Sequence, residues 1–555
     1  MQTSFNDFIE RETSGRGTPR RSGSSGFKVQ NSQSRKRTGE DGPPYGIKNT
    51  SGRFLSSNIN LITIVLFVIV YLAFPTRNSS TDAYYYAASI KYQGELFHPH
   101  HLLYNITGYM VLKAVRGIGL HPDVLALMKV LNSLLAGLSL VILSKILRRM
   151  NRTKGEITGL LLIAGSAFAI WRFATENETY LFPLVLSLAG SLKFIDFQDG
   201  KRNVNLVLSG SFCALAVLYH QIHIFWWLGL LFGTAYYTRK PGVILSYGFT
   251  ALFIPLIYLV VFYSLPSGYS EGSFTRFVFR EYYLGGVETG IGWPNFYLTV
   301  INFIRSFFQV HGIMFIMIRK NILFILPGIM VFVLLVTGII KSEITPRERR
   351  ITDRIFINSH ILIFVLQLIF AFYSVGNAEF MVMLPVLSLI ILAGLFEIKT
   401  IALVCFGAGL FIWNLSFGIL PAWQVDFTHH TVLVPRILSN EQDLFILKSD
   451  QHVLSKIYYE TGREDHRNIQ KAPENLLRRK LPLAILEERI EKNLTSGNRV
   501  FTDCINRPAI ISRATMLDRG MDEEFFRRYT HVAVDSVSTF TGVYYLFEIK
   551  GMKGE

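Results

Sequence analysis

Charge is scarce in this chain of 555 residues: 17% of them are Asp, Glu, Lys or Arg, while 50% are hydrophobic. Ordinary soluble domains carry roughly 25% charged residues, so the balance excludes a soluble globular protein and points to a polytopic membrane protein. Cysteine is nearly absent. Cys213 and Cys405 lie inside apolar runs and Cys504 in the C-terminal region, which excludes a disulfide framework and leaves no basis for redox chemistry. No internal repeat occurs at any period, which weighs against the inverted-repeat transporters. Acidic residues are too few to balance the basic ones, and the net charge is +16. The Lys and Arg residues gather in short segments between apolar runs, a pattern that orients a membrane protein and does not suggest nucleic-acid binding.

Residues 1–55 are rich in Ser, Gly, Arg and Lys and poor in apolar groups, so they are expected to form a disordered basic cytoplasmic tail. The first apolar run, Asn60 to Pro75, lacks the small-residue cleavage pattern of a signal peptide and is expected to remain as an anchor. Further runs, each about as long as a hydrocarbon core requires, fall near 124–146, 156–171, 180–195, 204–219, 222–237, 243–263, 322–340, 355–373, 380–396 and 401–417. Eleven spans result. Under strict alternation the cytoplasmic connectors are "KILRRMNRTKGE", "DGKRN", "TRKPG", "KSEITPRERRITDR" and "EIKT", and all but the last are rich in Lys and Arg. Two more apolar stretches, 102–118 and 295–318, read as outer-face helices. Counting either one alone as a span would turn the basic loops outward, and Arg305 sits inside the second. The transmembrane part is thus 56–420. In 421–555, strand-like runs ("DLFILKS", "NRVFTDC", "THVAVDS", "YYLFEIK") alternate with helix-like ones ("QHVLSKIYYETG", "LAILEERIEKNL"). That pattern predicts a soluble extracytoplasmic α/β domain.

The outer face gathers the titratable groups. The first outer loop, "TDAYYYAASIKYQGELFHPHHLLYN", carries Asp82, Tyr84 to Tyr86, Glu95, His98, His100, His101 and Tyr104. "WRFATENETY" brings Arg172, Glu176 and Glu178; "YHQIH" brings His220 and His223; "SEGSFTRFVFREYY" brings Glu271, Arg276, Arg280 and Glu281; "SVGNAEF" brings Glu379. A lone Glu at a helix end most often caps or is solvated, and a lone Tyr at the membrane edge is most often a belt residue. Clustering in one loop is what those readings leave unexplained.

The order of parts resembles the GT-C class of membrane glycosyltransferases, which includes the protein O-mannosyltransferases and the lipid A aminoarabinose transferase. The residues that carry the resemblance are Asp82 with Tyr84 to Tyr86, then "FHPHHLLYN" at 97–105 and, less closely, "ENETY" at 176–180. It implies a multi-pass integral protein with a cytoplasmic N-terminus and an extracytoplasmic C-terminal domain, in the plasma (inner) membrane if the source is a prokaryote. It also implies a polyprenyl-phosphate sugar donor, a glycan, lipid or protein acceptor, and Asp82 as the catalytic residue. The chain departs from the class in having "HPH" where "HPP" is common and no arginine beside "NAEFMVMLP". It also has no Asp-x-Asp pair of the metal-dependent kind.

The chemistry fits the residues as well. A phosphate leaves without protonation, so one carboxylate suffices as general base for the acceptor, unlike glycoside hydrolysis with its two carboxyls. Asp82 is the candidate base. Arg276 and Arg280, four apart and expected on one helical face, are candidates for the donor phosphate with Arg172 behind them. Tyr85, His98, His100, His101, Tyr104, Glu176, Glu178, His220 and His223 complete the candidate substrate-binding set. No cofactor is required. A divalent metal held by these histidines is the less favoured alternative to hydrogen bonding by imidazole, with His220 and His223 sharing a face if their segment is helical. Other readings are a lipid-intermediate flippase, which would place charges mid-span, and an O-antigen-type polymerase, which fits the C-terminal domain less well.

Overall fold

A computed structural model describes residues 50–265, 272–283, 290–309, 313–348, 350–508 and 520–554. The expected tail lies outside these up to residue 49, and so does Glu271. Helix α1 (Thr50–Ala73) leads to α2 (Thr81–Tyr92), a 3-10 turn at Pro99–His101 and α3 (Tyr104–Gly117). Then come α4 (Val124–Arg149), α5 (Lys154–Ser166), α6 (Phe168–Ala174), α7 (Leu181–Gly200) and α8 (Asn203–Tyr219). A second 3-10 turn, Gln221–His223, precedes α9 (Ile224–Thr238), α10 (Pro241–Gly248) and α11 (Phe253–Ser264). Short helices α12 (Phe274–Val278) and α13 (Arg280–Tyr283) precede α14 (Trp293–Phe307), α15 (Ile313–Lys320) and α16 (Ile325–Ile340). Strand β1 (Ile344–Pro346), α17 (Ile351–Tyr373), α18 (Leu384–Leu395), β2 (Phe396–Ile398), α19 (Thr400–Asn414) and α20 (Leu420–Gln424) complete this part.

Each of the eleven apolar runs lies on a helix or a broken helix. Among the described residues, six helices are long and apolar enough to cross a membrane, or seven with the bent pair α5–α6 counted as one span. The helices at 58–73, 203–219 and 379–395 are apolar but shorter. The run expected as one span over 156–171 is bent by 63° after Ser166. Such a break frees backbone carbonyls that hydrocarbon cannot satisfy. Here the Gly165 carbonyl accepts from the Tyr71 hydroxyl at 2.7 Å and the Ser166 carbonyl from Asn414 Nδ2 at 2.7 Å. The bend turns α6, with Arg172, toward the candidate site.

The connecting segments sort to two ends of the helices. At one end Arg149 pairs with Asp196 at 2.8 Å and Asp199 at 3.4 Å, and Arg347 donates to the Met150 carbonyl at 2.6 Å. Lys399 pairs with Glu343, and β1 lies antiparallel to β2 with Thr345 opposite Glu397. Tyr237, just before "TRKPG", donates to the Gln198 carbonyl at 2.9 Å. All five connectors, four of them basic, therefore meet at this end, and the acidic and histidine-bearing loops meet at the other. By the positive-inside rule the basic end is expected to face the cytoplasm. Labelling tests this on a low background, because all three native cysteines are buried. A Thr345→Cys thiol is expected to resist an impermeant reagent added outside, and a Thr275→Cys thiol to react. The reverse pattern would invert the topology.

The C-terminal part runs α21 (His430–Ser439), β3 (Leu444–Leu447), α22 (Asp450–Thr461), β4 (Ile469–Lys471), α23 (Pro473–Arg478), α24 (Ala484–Thr495), β5 (Val500–Thr502), α25 (Met521–Phe526), β6 (Tyr529–Ser538) and β7 (Val543–Met552). Its sheet has the order β4-β3-β5-β7-β6. β3 pairs parallel with β4 and β5, and β7 pairs antiparallel with β5 and β6. Side chains alternate between faces along a strand. Leu444 and Ile446 of β3 join Leu486, Ile490 and Phe526 on one face, whereas Phe445 and Leu447 join Val434, Val453 and Ile457 on the other. Helices cover both faces, as in an α/β layer structure. The four strand-like runs become β3, β5, β6 and β7. α15 ends against this part, with Lys320 Nζ 4.3 Å from the centre of the Phe540 ring.

Candidate active site

The α2 helix is the axis of the site. Ser80 caps its N-terminus, accepting from the Ala83 amide at 3.0 Å. The Ser80 hydroxyl donates to Glu178 Oε1 at 2.6 Å and its amide to Glu176 Oε2 at 3.2 Å. Successive tyrosines fan out around the helix. Tyr84 meets His452 and Tyr459 of α22, with ring centres 5.6 and 5.9 Å away. Tyr85 donates to Glu95 Oε2 at 2.6 Å. Tyr86, one turn beyond Asp82, packs against His98, His101 and Tyr104. The tyrosine cluster therefore serves two purposes: it docks α2 on the C-terminal part and lines a histidine pocket.

"ENE" at 176–178 is a buried hub. Glu176 takes Arg172 Nη1 at 3.0 Å and the Asn177 amide at 2.9 Å, with Lys129 Nζ 3.7 Å away. Asn177 bonds the Ala83 carbonyl at 2.7 Å and accepts from the Tyr104 hydroxyl at 2.7 Å. Lys129 and Asn132, one turn apart on α4, brace this loop: Asn132 donates to the carbonyls of Glu176 and Glu178 at 2.6 and 2.8 Å. Neither stood among the sequence candidates. Polar residues inside an otherwise apolar run were the available signal. Asn177 and Asn105, each in an Asn-x-Ser/Thr triplet, are buried and bonded within the fold, which leaves neither amide free for a glycan.

Asp82 is exposed to solvent, yet most of the volume around it is protein. Its side chain thus borders solvent on one side and packed protein on the others. Its pKa is raised to about 6, first by desolvation and then by Glu379 and Glu281, with His98 opposing. Burial, Glu379 and Asp82 hold Glu178 well above the usual carboxylate range against the pull of the Ser80 hydroxyl. Burial likewise raises Glu379, opposed by the Tyr180 hydroxyl, 3.1 Å from Oε2, and by Arg172. Asp82, Glu178 and Glu379 thus share one negative field and hold protons more tightly than isolated carboxyls do.

The histidines divide. His98 Nε2 lies 3.6 Å from Glu281 Oε1. His100, His101 and His220 form a tight group with ring centres 4.4 to 4.9 Å apart. Burial, then the neighbouring rings, lowers all three, His100 to about 4, so they are neutral near pH 7. His220 and His223 do not share a helical face as expected. α8 ends at Tyr219, His220 is extended, and a 3-10 turn swings His223 away to Ser187 Oγ at 2.7 Å. The expected arginine pair is also split: α12 stops before Phe279, Arg280 pairs with Glu95, and Arg276 is exposed. Arg172 is the guanidinium whose charge reaches the carboxyl group at Glu379.

Beside the histidines lies an apolar cavity of about 250 Å³, walled by Ile224, Phe225, Val278 and Phe370, with His100 and Glu281 at its polar edge. Glu281, which lines this cavity, lies 3.6 Å from His98, and both residues act on the Asp82 carboxyl.

No family model and no curated protein matches the chain. Among solved structures it is similar to the apo form of ArnT from Cupriavidus metallidurans, with 11% identity over 90% of this chain and 98% of that one, at a TM-score of 0.41. It is also similar to the oligosaccharyltransferase of Archaeoglobus fulgidus in complex with zinc and sulfate, with 10% identity over 87% and 72%, at a TM-score of 0.41. A third similarity is to the oligosaccharyltransferase AglB of the same organism in complex with an inhibitory peptide and a dolichol-phosphate, with 10% identity over 89% and 74%, at 0.42. These are GT-C glycosyltransferases, the class the motifs resemble. At such scores the likeness carries no argument about chemistry, which this chain's own residues must supply.

Proposed function

We propose that this chain is a multi-pass membrane glycosyltransferase that moves a sugar from a polyprenyl-phosphate donor to an acceptor at the outer face. The observation that supports this best is the juxtaposition of a water-accessible carboxylate of raised pKa with an apolar cavity, through a polar bridge of His98 and Glu281. A prenyl chain suits the cavity, its phosphate the polar edge, and the sugar a recess on the solvent-exposed side of Asp82.

The acceptor hydroxyl or amine attacks the anomeric carbon. The bond from that carbon to the phosphate oxygen breaks, and its electron pair leaves with the phosphate. The acceptor proton passes to Asp82, whose basicity burial and the charges of Glu379 and Glu281 enhance. Arg172 and the exposed Arg276 are the cations for the phosphate, with Arg280 kept in place by Glu95. The acceptor is a glycan, lipid or protein group small enough to enter the recess.

The pH profile tests the assignment. Asp82 must be ionised to act as base, so transfer is expected to fall as pH drops through about 6. Glu379→Gln removes a like charge that raises Asp82 and is expected to move this acid limb to lower pH. Glu281 acts in the same direction and His98 in the opposite one. An acid limb that stays in place in Glu379→Gln would contradict the coupling.

A further inference from the structure

We propose that His100, His101 and His220 form a binding site for one divalent transition-metal ion of the zinc class. Their ligand atoms all lie within 4.8 Å of one another. Zinc–nitrogen bonds of about 2.0–2.1 Å in a tetrahedron place nitrogens about 3.3 Å apart, so modest ring rotations close the cage. A second observation points to a ligand. His101 Nδ1 and His220 Nε2 are buried in the fold without a hydrogen-bond partner. Orphaned buried polar atoms are costly because they lose their water partners without replacement, and two on facing rings in one cluster indicate a common occupant.

The backbone holds the ligands ready. The Leu103 amide donates to the Leu218 carbonyl at 3.1 Å, tying the "HPHH" turn to the end of α8. The Tyr258 hydroxyl and Gln221 Nε2 both donate to the Pro99 carbonyl, at 2.6 and 3.4 Å. The Ile222 amide reaches His220 Nδ1 only at 3.4 Å, too long to fix the tautomer of that ring. Three nitrogens and no carboxylate suit zinc, cobalt or nickel in preference to magnesium or calcium.

Three protein ligands leave a coordination position open, as in catalytic rather than structural sites. His100 is only half-buried and lines the apolar cavity, so the open position faces it. On the glycosyltransferase reading, and only on it, that position receives an oxygen of the donor phosphate.

The test uses the full, tag-free chain in detergent, stripped with chelator and titrated with Zn²⁺ and with Co²⁺. One equivalent of metal is expected, with the visible bands of tetrahedral cobalt. His101→Ala and His220→Ala are expected to lose both. His100→Ala, at a half-exposed position that leaves the buried packing intact, should lose the bands while keeping the parent's melting temperature. His121→Ala, altering an exposed histidine elsewhere, should bind like the parent, and so should Asp82→Asn. No stoichiometric binding by the folded parent, or binding that survives His100→Ala, overturns the site. Because Asp82→Asn is read for metal as well as for transfer, a failed metal site and a failed enzyme assignment give different results.

Discussion

Asp82→Asn is expected to abolish sugar transfer, by the roughly 10²–10⁴-fold that a positioned general base contributes, while donor binding stays near the parent's. The asparagine keeps the size of the side chain and the Ser80 cap of α2, because the capping bond uses Ser80 and the Ala83 amide, not Asp82. What it removes is a charge that is poorly solvated and repelled by Glu379 and Glu281. The variant should therefore melt at or above the parent's temperature near neutral pH. Stability gained together with activity lost marks a residue kept for chemistry. The check is a transfer assay run beside a thermal melt. A variant that loses both activity and stability would instead make Asp82 a structural residue.

Lys129→Met is expected to destabilise the protein by about 3–5 kcal/mol, the usual consequence of removing one partner from a buried charge pair. Lys129 is buried, donates to the Thr76 carbonyl at 2.8 Å and Ser79 Oγ at 2.7 Å, and neutralises Glu176, whose side chain is wholly buried. Arg172 alone would then hold Glu176, and Arg172 is partly exposed. Adding Glu176→Gln should restore part of the loss, because no uncompensated charge then remains buried: Arg172, which loses its partner, is partly exposed. Denaturation of the two single variants and the double variant measures the coupling. Purely additive losses would show that Lys129 acts through its backbone contacts and not through Glu176.

Much of the fold was legible from the sequence. Hydropathy placed the helices, because lipid and core both demand apolar faces, and the basic segments sorted the connectors to one end. Period-2 runs located four of the five strands of the C-terminal sheet. β4 escaped because its segment, Ile469–Lys471, holds one apolar residue, whereas the equally short β5, Val500–Thr502, holds Val and Phe. The first outer loop, "ENETY" and "YHQIH" were singled out for their polar residues, and they meet. Details set by distant partners were hidden. The break after Ser166 depends on Tyr71 and Asn414 taking its carbonyls. Tyr84 and Tyr85 dock on Tyr459 and Tyr458 of α22, far along the chain. The separation of His220 from His223, and of Arg276 from Arg280, follows from short helices ending where periodicity alone would have continued them.

The most direct measurement is the release of polyprenyl phosphate from a polyprenyl-phosphate sugar by the purified protein in liposomes, followed across pH. The parent is expected to release it at a rate that declines below about pH 6, and Asp82→Asn to release none. Release that continues unchanged in Asp82→Asn, or a parent that turns over no such donor, would contradict the assignment of Asp82 as the base of a glycosyltransferase.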